Sequence, residues 1–380
     1  MREKSKPLIS ICIPTYNRGD YIHRALESSI RQSYENIEIV VADDASTDDT
    51  EAVVRRYMAK DKRIKYFKNN PNLGGQKNFF KAIEFSSGEY IQGLCDDDWI
   101  SENYIEEGVR GFSTYPQIGM VFGRVITLDL NKNNVFNPQR IFISKTKKYS
   151  TDKFLKNAYK LQLALFGGFA LYRRSDLMDI KKFMFDILES PFYRVAREFG
   201  FWGEAIIPLK ILSKYQYYFC NTNSAYVLVM HPDSYGGSRG DDPSAHDVFI
   251  RAKRSASVKE FWERLYKNEL NRFYVHFKLD FVAQEIADTL ISFLRGKFIN
   301  QSCYDINKGV SLMLKGYSLF EKILIIFEVP IVFVSRAVIY FVKLLSKRLE
   351  NKKKFTAYYP KIFMKVNDDM SGLFIFENKR

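Results

Sequence analysis

The stretch Ile37-Glu38-Ile39-Val40-Val41-Ala42-Asp43-Asp44-Ala45-Ser46-Thr47-Asp48-Asp49 decides the fold. A run rich in β-branched residues stops at a pair of carboxylates, and a polar cluster then opens a helical period that continues to about residue 60. The short polar side chains of Ser46, Thr47, Asp48 and Asp49 can cap orphan N–H groups, and acids there favour the positive end of a helix. Outward from this unit the same pattern recurs. Strands are predicted at 8–13, 37–42, 64–67, 90–94 and 119–127, separated by helices near 20–33, 47–60, 75–86 and 101–115, the first marked by Asp20. Such alternation gives an α/β fold with a doubly wound, mostly parallel sheet. From about 130 to 230 the periodicity is less regular. It contains Gly167-Gly168-Phe169-Ala170-Leu171-Tyr172-Arg173-Arg174 and the β-type run Ala225-Tyr226-Val227-Leu228-Val229-Met230, and reads as the second half of the same domain. The segment 232–247, rich in Gly, Asp, Ser and Pro, is a loop by composition, and a helical pattern then runs to about 350. One α/β domain over 1–240, in halves of about 1–128 and 129–240, is therefore followed by a helical extension over 241–380.

The 380-residue chain is 46% hydrophobic and 16% aromatic, which excludes a disordered chain and supplies enough apolar surface for more than one core. Its four cysteines, Cys12, Cys95, Cys220 and Cys303, show no paired or zinc-ligand spacing, and are expected to be reduced, buried thiols. The apolar run after Lys4 and Lys6 stops at Pro14, too early for a secretory signal, so a cytoplasmic location is expected. The net charge of +14 is unevenly placed. Residues 1–100 hold 15 basic and 16 acidic residues, net −1; residues 101–250 hold 19 and 15, net +4; residues 251–380 hold 24 and 13, net +11. The surplus follows a mostly apolar segment, 323–345, broken by Glu328, Pro330, Arg336 and Lys343. A spanning helix needs about 20 mainly apolar residues, and central charges are costly. An interfacial helix pair, a buried hairpin and a true span all remain open, the first being preferred. Beside it, Lys347, Arg348, Lys352, Lys353 and Lys354 form the kind of edge that docks on an anionic membrane surface, at about 1 kcal/mol per basic residue.

Ligands of open parallel sheets bind just past the carboxyl ends of the strands. Three clusters lie there: Pro14-Thr15-Tyr16-Asn17-Arg18, Asp43-Asp44-Ala45-Ser46 and Asp96-Asp97-Asp98-Trp99. An aromatic such as Tyr16 can stack on a base, a carboxylate such as Asp44 can accept a base N–H, and adjacent acids can hold a divalent cation. A turn with a helix cap is the alternative for Asp43-Asp44. Three consecutive carboxylates after a buried strand repel one another unless a cation or basic group neutralises them. Together the clusters suit a metal-bound nucleoside diphosphate. Neither GxGxxG nor GxxxxGK[ST] occurs, which argues against dinucleotide redox chemistry and Walker-type NTPases. A nucleic-acid groove is disfavoured because the segment bearing these motifs is net −1 and acid triplets repel phosphate.

Pro14-Thr15-Tyr16-Asn17, the run from Val41 to Asp48, Asn72-Leu73-Gly74, Gly88-Glu89-Tyr90-Ile91 and Asp96-Asp97-Asp98-Trp99 resemble, in order and spacing over residues 7–115 and more loosely to about 240, the family 2 glycosyltransferases of the GT-A fold. The resemblance implies an inverting transferase of the bacterial surface-polysaccharide type. Its donor would be a nucleoside-diphosphate sugar, UDP-sugar favoured, and its cofactor Mn²⁺ or Mg²⁺. It would place Pro14, Thr15, Tyr16, Asn17, Asp43, Asp44, Lys77, Asn78, Asp96 and Asp97 on the donor, and the metal on Asp96 and Asp98. The catalytic base would be Glu204, in Phe201-Trp202-Gly203-Glu204-Ala205, where the family has an acidic pair and this chain has Glu then Ala. Glu198 and Asp186 are the fallbacks. His231, between the 225–230 run and the 232–247 loop, would complete the metal or diphosphate site. That loop reads equally as a lid over the donor or as a linker. The acceptor would be a glycan or lipid-linked glycan precursor, and a catalytically silent nucleotide-binding membrane scaffold is the alternative.

Overall fold

The computed structural model describes residues 6–129, 134–136, 146–151, 170–189, 206–212 and 214–230, together with 310–314 and the single positions 286, 290, 322, 325 and 329. Glu204, Glu198, His231, the loop 232–247 and nearly all of 323–345 lie outside the described residues. The strands are β1 (Ile9–Thr15), β2 (Ile37–Asp43), β3 (Ile64–Lys68), β4 (Tyr90–Gly93), β5 (Trp99–Ile100), β6 (Ile118–Asp129), β7 (Asn134–Phe136), β8 (Lys147–Ser150), β9 (Leu171–Arg173) and β10 (Tyr217–Met230). The helices are α1 (His23–Ile30), α2 (Thr50–Lys60), α3 (Gly75–Phe85), α4 (Tyr104–Thr114), α5 (Arg174–Glu189) and α6 (Ile206–Leu212).

All ten strands join one sheet, ordered β3-β2-β1-β4-β9-β6-β10-β5 with β7 and β8 paired to β6 and β10. The first four in that order are parallel. Both faces of β1 and β2 are covered, so almost every position is buried and the apolar stretches Ile11–Ile13 and Ile39–Ala42 do not alternate, with Ser10 and Glu38 as buried polar exceptions. Successive residues feed two cores. Cys12, Val40, Ala42 and Ile91 pack with Phe80 and Ile83 of α3 and Leu177 and Ile180 of α5. Ile11, Ile13, Ile39 and Val41 pack on the other face with Ala25 and Leu26 of α1, Val53 and Val54 of α2, and Ile105 and Phe112 of α4. Each of the Val, Leu, Ile and Phe side chains among them, fully buried, contributes about 1.5–3 kcal/mol. The sheet is thus doubly wound, and its order reverses between β1 and β4, which opens a crevice at their carboxyl ends.

The predicted strands and helices of residues 8–127 are present with ends displaced by a few residues. Three features differ. Helix α1 begins at His23 behind Ile22, with no side-chain cap, whereas before α2 Asp48 accepts the N–H of Thr50, the first helical residue, at 3.0 Å and also the Gly19 N–H at 3.1 Å. Within the irregular second half, Leu171–Arg173 inserts antiparallel between β4 and β6, a reversal that local composition does not encode. Cys12 is buried, and burial pushes its thiol far above the ordinary range, but Cys95 is exposed, contrary to expectation, because it stands in the turn where β4 leaves the sheet. Among the described residues, no helix is long and apolar enough to cross a membrane.

Candidate active site

The loops after β1 and β2 are laced into one unit. The Asp44 N–H donates to Thr15 O at 2.9 Å, the Asn17 N–H to Ser46 Oγ at 2.9 Å, and the Thr47 N–H to Asn17 Oδ1 at 2.8 Å. Asn17 and Ala45 both hold positive φ, 51° and 67°, so each loop turns sharply where the strand ends. Asn tolerates this conformation; at Ala45 the surrounding hydrogen bonds must impose it. The turns leave the Tyr16 ring at 48% exposure on the rim of the crevice, an aromatic surface open for stacking.

Asp43 and Asp44 divide their work. Asp43 is fully buried and accepts from the Ser46 N–H at 2.7 Å and the Tyr66 hydroxyl at 2.6 Å. Burial and the Asp43 carboxylate push the Tyr66 hydroxyl far above its ordinary range. Asp43 is therefore an internal brace. Asp44, 1% exposed, accepts from Asn69 Nδ2 at 2.9 Å, the Leu73 N–H at 2.8 Å and the Gly74 N–H at 2.7 Å. A carboxylate offers about four lone-pair positions, and these three donors leave one of them unfilled. Asn78 is also internal: its amide donates to Ala42 O at 2.7 Å and accepts from Asn69 at 2.8 Å. Lys77 pairs with Glu189 of α5 at 2.7 Å. Arg173 lies at the other end of the sheet, donating to Ile118 O at 2.7 Å, away from these loops.

Beyond β4 the acid triplet is split by its partners. Asp96 faces Arg18 at 3.8 Å. Burial, then the Asp97 charge, raise the Asp96 carboxyl to about 7, a rise that the Thr15 side chain, Arg18 and the Tyr16 N–H limit. Asp98 is 3% exposed and accepts from the Tyr226 hydroxyl at 3.0 Å and the Val229 N–H at 2.8 Å. Burial first, then Asp97, push it well above the carboxylate range. Strand β10 thus clamps the loop from 128 positions away in sequence, and Tyr226 also accepts the Cys95 N–H at 3.1 Å. Sequence reading had placed Tyr226 only as a strand residue; the one local signal was a phenol in an otherwise apolar buried run. The Arg24 guanidinium lies within electrostatic reach of Asp97 and Asp98, and its Nη1 is buried with no hydrogen-bond partner among the described residues.

Among the described residues one grouping at this loop could hold a metal ion; of the expected ligands it includes Asp98, and His231 lies outside the described residues. Cys95, Asp97 and Asp98 offer ligand atoms that all lie within 4.8 Å of one another, while Asp96 stands apart with Arg18. Two crowded carboxylates, one of them buried, suit a divalent cation, whose charge offsets the burial and the Asp97 repulsion that raise Asp98. The donor set fits the metal that the resemblance implies.

The glycosyl transferase family 2 profile matches residues 10–181. A Haemophilus influenzae glycosyltransferase is 34% identical over 129 residues, which cover 34% of this chain and 51% of that protein. The Campylobacter jejuni GalNAc(5)-diNAcBac-PP-undecaprenol beta-1,3-glucosyltransferase is 40% identical over 93 residues, 24% of this chain and 30% of that one. The chain spans about half the length, or less, of the curated relatives it matches. The crystal structure of S. aureus TarS 1–349 in complex with UDP-GlcNAc aligns with 82% of this chain and 93% of its own at 16% identity and a TM-score of 0.49.

Proposed function

Through residues 10–181 the chain belongs to glycosyl transferase family 2, and from that premise we propose that it moves a sugar, with inversion, from a nucleoside-diphosphate sugar to a hydroxyl of a glycan or lipid-linked glycan precursor. The observation that carries this reading is the convergence, at the crevice between β1 and β4, of the exposed Tyr16 ring, the Asp44 carboxylate and the Cys95–Asp98 loop. Tyr16 offers a face to the base. Asp44, fixed by three donors, has an acceptor position left for a base N–H, which favours a uracil. Asp97 and Asp98 would hold a divalent cation, Mn²⁺ or Mg²⁺, whose contribution when bound is to neutralise the diphosphate as it leaves.

The rest of the chemistry is a proton transfer. An acceptor hydroxyl attacks the anomeric carbon opposite the leaving diphosphate and must lose its proton to a carboxylate on that face. Glu204 takes that role in this reading, with His231 as a further ligand. Met230 ends β10 one residue before His231, and the Val229 N–H is bonded to Asp98, which supports the second assignment. The donor half, the acceptor half and the basic region 241–380 then have successive tasks: nucleotide, acceptor, membrane surface. The undecaprenol-linked substrate in the name of the Campylobacter relative and the net +11 of residues 251–380 support a lipid-linked acceptor reached from the cytoplasmic face.

The test is product formation with a panel of nucleotide sugars and Mn²⁺ or Mg²⁺, using the full chain beside Glu204→Gln. Metal-dependent transfer from one donor class, abolished by metal removal, is the expected result. If no nucleotide sugar is bound or turned over, the transferase reading is lost; full activity of Glu204→Gln would remove only the base.

A further inference from the structure

Cys95 has no task in the reading so far, yet its sulfur stands inside the ligand grouping. We propose that Cys95 Sγ is a direct ligand of the divalent cation together with Asp97 and Asp98, and that this mixed sulfur and oxygen donor set makes the site thiophilic, preferring Mn²⁺ and softer ions over Mg²⁺. The inference rests on the transferase reading only in taking the Cys95–Asp98 loop as the cation site.

The geometry is held from several directions. The Asp98 N–H donates to Cys95 O at 3.2 Å, and the Cys95 N–H donates at 3.1 Å to the Tyr226 hydroxyl, which in turn donates at 3.0 Å to Asp98 Oδ2. The Cys95 main chain and the Asp98 carboxylate are thereby closed into a ring through one phenol, which keeps the Cys95 Cα beside Asp98. Bonds of about 2.0–2.2 Å to oxygen and about 2.3 Å to sulfur, on opposite sides of one ion, span about 4.5 Å. The ligand atoms already lie within 4.8 Å, so little movement is needed. Asp96 is not required: Arg18, 3.8 Å away, supplies its counter-charge.

The chemical consequence follows from ligand softness. Magnesium demands oxygen ligands and dehydrates reluctantly, whereas thiolate sulfur favours softer transition ions. On ligation the thiol proton leaves to solvent and the sulfur lone pair forms the bond; no electron transfer is involved. The exposure of Cys95 gives ion and proton a path.

The experiment is an ultraviolet titration of the purified full chain with Cd²⁺, following thiolate-to-cadmium charge-transfer absorbance, in wild type and in Cys95→Ser and Asp97→Asn. Mg²⁺ affinity and Mn²⁺-dependent UDP binding are measured in parallel. Wild type is expected to develop the band to saturation at one equivalent. Cys95→Ser should lose it, with Cd²⁺ affinity down on the order of 10–100-fold, at least what loss of a supporting group already costs a metal site, and Mg²⁺ affinity nearly unchanged. Asp97→Asn should keep a band but weaken both ions. A band and a Cd²⁺ affinity unchanged in Cys95→Ser, whose exposed position lets circular dichroism verify the fold, overturn the proposal. Failure of wild type to bind UDP with any metal would instead count against the transferase reading, leaving the thiolate result to stand by itself.

Discussion

Replacing Asp98 by Asn is expected to lower sugar transfer by on the order of 10²–10³-fold, the size of effect seen when one stabiliser of developing negative charge is removed, while the thermal midpoint stays level or rises. The two halves of this expectation have the same cause. Asp98 is 3% exposed beside Asp97, and both burial and that neighbour disfavour its charged form. A group whose carboxyl is raised on folding opposes the folded state at every pH above its unfolded value of about 3.9. The amide carries no such charge. Its oxygen can still accept from the Val229 N–H, and its N–H can donate to the Tyr226 hydroxyl, so packing persists as cation affinity falls. Steady-state kinetics and a melt of the metal-free protein, run on the same preparation, read both. The milder change Tyr226→Phe should act the other way round: activity down about 10–100-fold through a looser ligand, and stability lower, because Asp98 Oδ2 and the Cys95 N–H each lose a buried partner. Unimpaired transfer by Asp98→Asn would take this loop out of the chemistry.

The elements that build the crevice were legible because burial on both faces writes itself into a strand as an apolar stretch without alternation, Ile11–Ile13 in β1 and Ile39–Ala42 in β2. For β1 and β2 that run stops where the polar loop begins, so the crevice could be located before any coordinates. The division of labour inside it was not legible. Asp43 and Asp44 are adjacent and chemically identical, and what separates a brace from a ligand-facing group is whether Ser46 and Tyr66 or Asn69, Leu73 and Gly74 supply the donors. The same holds for Asp96, which faces Arg18, and for Asn78, whose amide is bonded to Ala42 O and Asn69. Tyr226 could not be tied to Asp98 at all without knowing that β10 pairs antiparallel with β5. Local pattern reports which residues are buried; it takes the tertiary register to say against what.

At the opposite ends of the same strands, Glu38→Ala is expected to cost about 1–3 kcal/mol of folding stability, the range for leaving buried hydrogen-bonding groups without their acceptor. Glu38 is 5% exposed, and its Oε1 accepts from the Ser10 hydroxyl and from the Ser87 and Gly88 N–H groups, while Oε2 accepts from Lys65 at 2.6 Å. One side chain thereby ties β1, β2 and β3 to the turn that enters β4. Gly88 is needed there, since a Cβ would come within 2.6 Å of the Ser10 N. Without the carboxylate, the Ser87 N–H and the Ser10 hydroxyl lose their acceptor, and the Gly88 N–H keeps only Ser10 Oγ at 2.9 Å. Lys65 matters less, because it is half exposed and can turn to solvent. Burial alone would raise the Glu38 carboxyl, but Lys65, Ser10 and Ser87 outweigh it and hold it below the ordinary range. A depressed value means that the stabilisation is complete above the unfolded value of about 4.3 and is lost as pH falls through the folded one. Denaturant titrations at neutral pH and in steps below about pH 4 should therefore show wild type losing stability faster than Glu38→Ala, the two curves converging in acid. Since this anchor sits at the amino ends of the strands and the crevice at their carboxyl ends, the folded fraction of the variant should transfer sugar at the wild-type rate. A fall in turnover per folded molecule would mean that strain at one end of the sheet reaches the loops at the other.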